Sequence, residues 1–457
     1  MNSTHLPTIH ETSELLLAGR TSSRALVDAC LARIDQFEDR IRAWVLVDAE
    51  GARRQAAERD AELQAGRCRG PLHGVPIGIK DIIDVAGWPT LAGSRLRLGN
   101  VATRDAQVVT RLREAGAVFL GKTVTTEFAS FDPSPTRNPW NLTRTPAGSS
   151  SGSAAAVALG MCVAAMGSQT GGSITRPAAY CGVAGCKPTY GRVSLTGILP
   201  LSFHLDHPGP LARDVADLAI MLTAIAGYDP QDAISIDIPT ANYTAEPARC
   251  APPRLAVLTG FFNEAAAPDV RESLEAALGK LAAAGATIER VAPPDSFAPV
   301  IAYHRSIMAI DAAMHHRDNF PERRAEYGPC IAALMDEGLA TTLVDYSAAL
   351  AHQRRFARDL ELRLAGYDAL VTPSATTTAP GLETTGDPRF QAPFSYAGLP
   401  TVCFPCGLSS ANEMPVSFQL IGSRWGEGAL LSVSQWCEAT IGFSAQPPLL
   451  AEGAPVG

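Results

Sequence analysis

Two loops rich in glycine and serine, separated by a stretch of small and apolar residues, lie within residues 146–192. Ser149 lies in the first loop, and Ser173 directly follows the sequence TGG in the second. Glycine lets the chain turn sharply, so that consecutive backbone N–H groups can point to one side. The pattern predicts a globular core in which tight turns present two serines, and such a turn can expose a nucleophile beside backbone N–H donors.

Neither loop is decisive when it is taken alone. A plain glycine turn between two buried segments explains the sequence around Ser173 equally well. The run around Ser149 is also typical of a flexible Gly/Ser linker. That run is short, however, and leads directly into an Ala/Val/Leu segment, whereas a linker would not normally open a core helix. We therefore favour a structured loop at Ser149.

The composition is that of a globular enzyme. Of the 457 residues, 46% are hydrophobic and 18% are charged, which argues against disorder. The net charge of −8 argues against broad binding to nucleic acid. No signal-peptide pattern is present, and the longest apolar run, residues 154–166, is shorter than the roughly 20 residues that span a bilayer. We therefore expect a cytoplasmic protein that binds neither nucleic acid nor membrane.

The cysteines do not predict a metal site. Cys403 and Cys406 form a CxxC sequence, but no second CxxC accompanies it. Buried thiols in a strand region are the simpler interpretation.

Short apolar runs alternate with helical patterns along the chain. This alternation favours α/β layering around a mainly parallel or mixed sheet. The predicted strands are residues 75–79, 118–120, 255–258, 369–372, 401–404 and 416–421. Helices are predicted within residues 11–48 and at 51–66, 106–115, 270–284 and 347–365.

Lys80 ends the apolar run of the first predicted strand. A lysine that leaves a buried strand has a desolvated amine, and desolvation lowers its pKa. A neutral amine can act as a general base, and a Ser-Lys pair is a known alternative to a Ser-His-Asp site. For any single lysine, a surface position with the charged end in water is the commoner interpretation.

Several separated motifs resemble those of the amidase signature family and occur in the same order. They are PLHGVPIGIKD at residues 71–81, TRNPW at 136–140, the two serine loops, KPTYGR at 187–192, GLP at 398–400, MPV at 414–416 and QLIG at 419–422. The resemblance extends over nearly the whole chain, and chance does not explain so many ordered matches.

The resemblance implies a fold and a domain organisation. The expected fold is α/β, a single α/β/α layered domain around a large mixed, twisted central sheet. One amidase domain would cover residues 1–457, with an N-terminal helical segment at 1–70 and the catalytic motifs at 71–200. Residues 290–345 would form a variable insertion on the substrate side.

The resemblance also implies a Ser–cis-Ser–Lys triad. Matched motif to motif, Ser173 would be the nucleophile, Lys80 the base, and Ser149 the bridge between them, held by a cis Gly148–Ser149 peptide bond. The oxyanion would be held by backbone N–H groups of the second loop, those of Thr170, Gly171, Gly172 and Ser173. This chemistry requires no metal and no organic cofactor.

Two departures from the family pattern lie beside the second serine loop. Gln169 stands where the family often has Asp, so the groups that pair with this acid must be satisfied differently. Arg176 lies one position later than the arginine of the common S-I-R-x-P sequence, which turns its side chain to another direction. Two alternatives stay open: a bidentate clamp for a substrate carboxylate, and an ion pair with a local acid that shapes the loop.

A third departure is the loop at residues 127–136, which is shorter than usual and contains two prolines. Its composition predicts a more open and stiffer rim. Substrate-binding positions are predicted by their place in these motifs: Phe128, Ala129, Ser130, Gly148 and Arg176. Phe128 is equally compatible with the core.

The function that the resemblance implies is cleavage of a small-molecule carboxylic amide, or of a related ester or carbamate, through an acyl-enzyme on Ser173. One alternative is the A subunit of a glutamyl- or aspartyl-tRNA amidotransferase, which shares the triad; Gln169, Arg176 and the short loop argue against it. A second alternative is a non-catalytic relative with the same fold, although all three triad positions are intact. The expected partner is the amide substrate, and a homodimer stays open.

Overall fold

The structure, a computed structural model, describes residues 6–244 and 251–453. In these residues one mixed sheet of 11 strands has helices on both faces, which confirms the predicted fold class. The strands are β1 (Trp44–Val47), β2 (Pro76–Lys80), β3 (Val118–Thr123), β4 (Ala164–Gln169), β5 (Ala184–Lys187), β6 (His207–Ala212), β7 (Arg254–Leu258), β8 (Thr287–Val291), β9 (Ala369–Pro373), β10 (Thr401–Leu408) and β11 (Pro415–Ile421).

In sequence, α-helices lie between most of the strands of the described chain. They are α1 (Ile9–Leu17), α2 (Ser23–Ile41), α3 (Ala49–Gln64), α4 (Gln107–Glu114), α5 (Ser151–Ala158), α6 (Thr175–Cys181), α7 (Val215–Ile225), α8 (Phe261–Glu264), α9 (Pro268–Ala283), α10 (Val300–His316), α11 (Phe320–Arg323), α12 (Pro329–Ala340), α13 (Leu343–Leu364), α14 (Ala392–Tyr396) and α15 (Glu427–Ile441). No helix in the described part of the chain is long and apolar enough to cross a membrane.

The strand order is β1-β3-β2-β4-β6-β5-β10-β11-β9-β7-β8. β2 lies parallel between β3 and β4, whereas β6 is antiparallel to both β4 and β5. β5 and β10 pair with Lys187 opposite Thr401, which joins strands far apart in the sequence. All six strands expected from apolar runs are present, with ends shifted by a few residues.

Alternating side chains divide the core into two layers. Along β3, Val118 and Leu120 pack with α2, α3, α5 and α6 on one face of the sheet. Phe119 points to the opposite face, where α4, α7, α9 and α15 pack. Since side chains of a strand alternate with period two, this short apolar run contributes to both layers.

The helical prediction for residues 11–48 is correct for α1 and α2 but wrong for β1. Ser22 begins α2, where its hydroxyl accepts from the N–H of Ala25. Arg42 then adopts a left-handed conformation with φ 57° and ends the helix. The chain after this turn pairs with β3, with Trp44 opposite Thr123. Pairing with a strand distant in sequence therefore overrides the local helical pattern.

Residues 154–166 form the end of α5 and the start of β4. The small residues of α5 allow it to lie directly on the sheet: a Cβ atom on Gly152 would be 2.1 Å from the carbonyl oxygen of Ala43. This close approach carries the preceding loop, and with it Ser149, into the interior of the molecule.

Candidate active site

Lys80 is the last residue of β2, and its side chain is fully buried. Its Nζ donates to Ser149 Oγ at 2.7 Å and to Ser168 Oγ at 2.8 Å, and it lies 3.4 Å from the Ser168 carbonyl oxygen. All three partners are neutral oxygens. Because β2 lies between β3 and β4, the backbone that carries this amine is held on both sides.

Burial lowers the pKa of Lys80 from its ordinary value of 10.5 to about 7, and the charge of Asp206 opposes this change. Desolvation disfavours the ammonium form, and no carboxylate in the described residues forms an ion pair with Nζ. A substantial fraction of Lys80 is therefore neutral at neutral pH. A neutral amine can accept a proton from the hydroxyl group 2.7 Å away.

Ser149 lies between β3 and the N-terminus of α5 and is fully buried. The Gly148–Ser149 peptide bond is cis. Gly148 leaves no room for a side chain, because a Cβ atom there would be 2.7 Å from Thr126 Cγ2. The loop is tied to the second serine loop by the N–H of Ser150, which donates to the Ser173 carbonyl oxygen at 3.3 Å.

Ser173 lies in the turn between β4 and α6 and is 8% exposed, while its neighbours Gly171 and Gly172 are buried. Among the described residues, the N–H groups of Gly171, Gly172 and Ser173 have no protein acceptor. Three free donors in one turn, beside a serine hydroxyl, are what an acyl oxyanion needs. Because the family resemblance predicts the oxyanion donors here, we call residues 170–173 the oxyanion loop.

Gln169 forms hydrogen bonds at the start of α6 and to Ser395. Its Oε1 accepts from the N–H groups of Ile174 and Thr175, each at 2.9 Å, and from the Thr175 hydroxyl at 3.1 Å. Its amide nitrogen donates to Ser395 Oγ at 3.1 Å. The first-turn N–H groups of α6 are thus satisfied without a charge, and the amide adds a donor that a carboxylate lacks.

Arg176, on α6, is buried and 2% exposed. One guanidinium nitrogen donates to the Gly148 carbonyl oxygen at 3.0 Å and lies 3.5 Å from Thr385 Oγ1. Its Nε and Nη1 atoms have no hydrogen-bond partner among the described residues. No carboxylate in the described part of the chain lies within ion-pair distance of this guanidinium, although the charge of Asp387 favours its protonated form. The guanidinium contacts the residue before Ser149.

Phe128, Ala129 and Ser130 are buried, and the first two have positive φ values of 47° and 59°. Phe128 packs against His316 and Tyr327, with ring centroids 4.5 and 5.5 Å apart. These three residues are buried and do not form the expected open rim, and His316 at the end of α10 and Tyr327 cover Phe128. Ser130 Oγ is buried and lacks a hydrogen-bond partner among the described residues.

One group of side chains in the described residues has the arrangement of metal ligands. His10, Asp214 and Asp217 have ligand atoms within 4.8 Å of one another. Both Asp217 oxygens already accept backbone N–H groups, from Ile9 at 2.7 Å and from His10 at 3.2 Å. These bonds fasten α1 to α7, which gives the group a structural role away from Lys80.

A family model described as Amidase matches residues 25–431. The chain belongs to the amidase family. The A subunit of glutamyl-tRNA(Gln) amidotransferase from Moorella thermoacetica is 36% identical, over 97% of this chain and 98% of that protein. The protein of the same name from Picosynechococcus sp. is 35% identical, over 95% and 98%.

Solved structures of amidases share the fold. Native peptide amidase from Stenotrophomonas maltophilia matches with a TM-score of 0.86 and 32% identity, over 98% of this chain and all of that one. A structure reported as a vestigial protein complex that reveals the origins of an s-triazine catabolic enzyme matches with a TM-score of 0.91 and 31% identity, over 96% and 100%. This amidase-family chain is therefore an enzyme that acts on a C–N bond.

Four polar residues of this amidase site lie outside the sequence predictions: Ser168, Asp206, His304 and Ser395. Ser168 contacts Lys80, and Asp206 Oδ1 accepts from Thr170 Oγ1 at 2.5 Å. His304 Nε2 lies 3.1 Å from the Thr170 carbonyl oxygen, and Ser395 Oγ donates to the Gly171 carbonyl oxygen at 2.8 Å. For Ser168, the one available signal was its place in an apolar run that leads to the TGG sequence.

Proposed function

We propose that the chain hydrolyses the amide bond of a small molecule through an acyl-enzyme on Ser173. The observation that carries this proposal is the 2.7 Å contact between Ser149 Oγ and the buried Lys80, whose pKa burial lowers to about 7, in a loop bonded to Ser173. Lys80 accepts the Ser149 proton while Ser149 accepts the Ser173 proton. Ser173 Oγ then attacks the amide carbon.

The N–H groups of Gly171, Gly172 and Ser173 stabilise the negative charge that develops on the carbonyl oxygen. Lys80 returns its proton through Ser149 to the leaving nitrogen, the C–N bond breaks, and the amine departs. Water then attacks the acyl ester and gives its proton to the same relay. Release of the carboxylic acid restores the Ser173 hydroxyl group.

Ser173→Ala tests this chemistry. We expect amide hydrolysis to fall by about 10³-fold or more, because the other hydroxyl of the oxyanion loop, that of Thr170, is bonded to Asp206 and does not replace the nucleophile. Circular dichroism should remain that of the wild type, since the change removes one oxygen. Retention of more than a tenth of the activity would contradict the proposal.

We further propose that the substrate carries a carboxylate near the scissile amide and that Arg176 binds it. A buried guanidinium without an acidic partner is costly, and a substrate carboxylate would supply the missing acceptor. Two observations support this idea: Nε and Nη1 have no partner among the described residues, and the side chain contacts Gly148 beside Ser149. The substrate class would then be a monoamide of a short dicarboxylic acid.

The test compares such a monoamide with its neutral methyl ester, by release of ammonia. Arg176→Gln should lower kcat/KM for the acid by about 10- to 100-fold and leave the ester almost unchanged. Arg290→Gln, which removes a half-exposed guanidinium on β8, serves as a control for the loss of a surface arginine. A test that needs no variant is inhibition of the wild type. Inhibition by dicarboxylates but not by neutral diamides would also support carboxylate binding by Arg176. Equal losses on both substrates, or equal inhibition, would assign Arg176 to the support of the Gly148 loop.

A second candidate function is that of the A subunit of a tRNA-dependent amidotransferase. It is favoured by the names of the curated relatives, at 33–36% identity over nearly the whole chain. Both candidate functions use the same chemistry at Ser173. They differ in whether the chain needs a partner protein for activity. Rapid amine release from simple amides by the purified chain supports the first, whereas activity that requires a partner protein supports the second.

A further inference from the structure

The carbonyl groups of the oxyanion loop all have hydrogen-bond donors. The Thr170 oxygen accepts from His304, the Gly171 oxygen from Ser395, and the Gly172 oxygen from the N–H of Arg176 at 2.9 Å. The N–H groups that follow these three carbonyls are the free ones of Gly171, Gly172 and Ser173. The carbonyl groups on one edge of the loop are all hydrogen-bonded, while the N–H groups on the opposite edge have no acceptor among the described residues.

This arrangement determines the direction of the free donors. A peptide unit is planar, and in its trans form the C=O and the following N–H point in opposite directions. A donor that holds the Gly171 carbonyl therefore also aims the N–H of Gly172. In the same way, a donor on the Thr170 carbonyl aims the N–H of Gly171.

Ser395 is itself oriented by Gln169. The Gln169 amide nitrogen donates to Ser395 Oγ at 3.1 Å, so the hydroxyl proton is left to bond the Gly171 carbonyl at 2.8 Å. All three groups are buried, so bulk solvent does not compete for these bonds. An acid at position 169 would accept the Ser395 proton instead and would leave the Gly171 carbonyl without a donor.

His304 acts on the neighbouring peptide. It lies on α10 and is 4% exposed, and burial lowers its pKa to about 4, so it is neutral at pH 7. Since its Nε2 faces a carbonyl oxygen, that nitrogen carries the proton. The neutral tautomer thus supplies a single fixed donor without placing a charge beside the oxyanion loop.

We infer that Gln169, His304 and Ser395 are positioning residues that aim the N–H donors of Gly171 and Gly172 at the reacting carbonyl oxygen. None of them contacts the reacting atoms in this scheme. The inference rests on the proposed amide hydrolysis at Ser173. It assigns a role to Gln169, which differs from the residue common in the family, and to His304 on α10; the triad alone gives neither residue a role.

The test compares Ser395→Ala with Ser434→Ala. Ser434 is a matched control, because it is also fully buried and donates to a backbone carbonyl, that of Leu430 at 2.7 Å, within α15. We expect Ser395→Ala to lower kcat by about tenfold with little change in KM, since a misaimed donor costs less than a deleted one. Ser434→Ala should leave both constants unchanged.

A boronic acid that forms a tetrahedral adduct provides a second readout. Ser395→Ala should weaken its binding by the same factor as kcat, while binding of the carboxylic acid product stays constant. Gln169→Glu should reduce kcat similarly, and the double variant Gln169→Glu/Ser395→Ala should be no slower than Ser395→Ala alone. Ser395→Thr, which keeps the hydroxyl, should recover most of the activity.

Equal effects of Ser395→Ala and Ser434→Ala would overturn the inference, as would additive losses in the double variant or a change confined to KM. Failure of the proposed function gives a different result. In that case the wild type releases no amine, or Ser173→Ala retains the activity.

Discussion

Lys80 has only neutral oxygens as hydrogen-bond partners, and its protonation is therefore controlled by burial and by one more distant charge. Ser149 and Ser168 provide the contacts, and Asp206 provides the charge. The neutral amine has two protons to donate and one lone pair. It can donate both protons to the Ser168 oxygens and accept from the Ser149 hydroxyl with its lone pair, whereas the charged amine donates to Ser149 Oγ as well.

The pH dependence follows from this environment. Only neutral Lys80 can accept a proton, so kcat/KM should rise with pH and reach half its maximum near pH 7, the value to which burial lowers the pKa of this lysine. The measurement is kcat/KM between pH 5 and pH 9 with a substrate that does not titrate there. A flat profile would exclude the lysine as the base.

Asp206→Asn should shift this profile in a definite direction. The carboxylate stabilises the ammonium form, so its removal should lower the pKa of Lys80 and move the acidic limb to lower pH. Asn can still bond Thr170 Oγ1 and the N–H groups of Leu201 and Ser202. A midpoint that stays constant or moves to higher pH would contradict the assigned influence of Asp206.

The N-terminus of helix α12 is capped by carboxylates from a distant part of the chain. The Asp132 carboxylate accepts from the N–H groups of Cys330 and Ile331, each at 2.9 Å, and Glu127 accepts from Gly328 at 2.6 Å. These are first-turn N–H groups, which have no partner within the helix. The short loop at residues 127–136 therefore acts as the N-terminal cap of α12 and fixes the segment that covers Phe128.

Asp132→Ala tests this capping. Loss of a capping carboxylate should reduce the free energy of unfolding by about 1 kcal/mol and speed amide exchange in the first turn of α12. Asp318→Ala is the control, because its side chain is 81% exposed. Hydrogen exchange measured by mass spectrometry separates the two outcomes, and identical exchange in both variants would argue against the cap.

The sheet is continuous from β1 to β8, and the join between β5 and β10 lies near its middle. At this join the buried Lys187 amine donates to the Leu399 carbonyl oxygen. The oxyanion loop also receives donors from both parts of the chain. Folding of the site and folding of the whole sheet are therefore linked.

We expect one unfolding transition for the molecule. Circular dichroism, fluorescence of the five tryptophans and residual activity should lose half their native signal at the same denaturant concentration. Separate midpoints, with activity lost while half of the secondary structure remains, would show that the parts of the sheet fold independently.

Local patterns predicted the elements whose periodicity is unambiguous, such as β2 and α2. They missed β4, because an apolar run of small residues has no period that separates a strand from a helix. They also missed β6, since its sequence HPGPLA has the composition of a turn and becomes a strand only between β4 and β5.

In the candidate site, too, residues within local motifs were predicted and residues brought in by tertiary packing were not. Lys80, Ser149 and Ser173 lie within recognisable motifs. His304 and Ser395 lie on helices that meet the oxyanion loop only in the folded molecule, so no local sequence pattern marks them. The sequence also left the partner of Arg176 open, because the surroundings of its side chain on α6 depend on the packing of Gly148 and Thr385 against it.

The donors of the oxyanion loop have a consequence for biosynthesis. His304 lies 134 residues after Thr170, and Ser395 lies 224 residues after Gly171. A ribosome therefore adds Lys80, Ser149 and Ser173, the residues of the proposed triad, long before it adds the groups that hold the loop. A nascent chain that ended before α14 would contain Ser173 without the donor that holds the Gly171 carbonyl, so the hydrogen bonds of the oxyanion loop can be completed only late in synthesis.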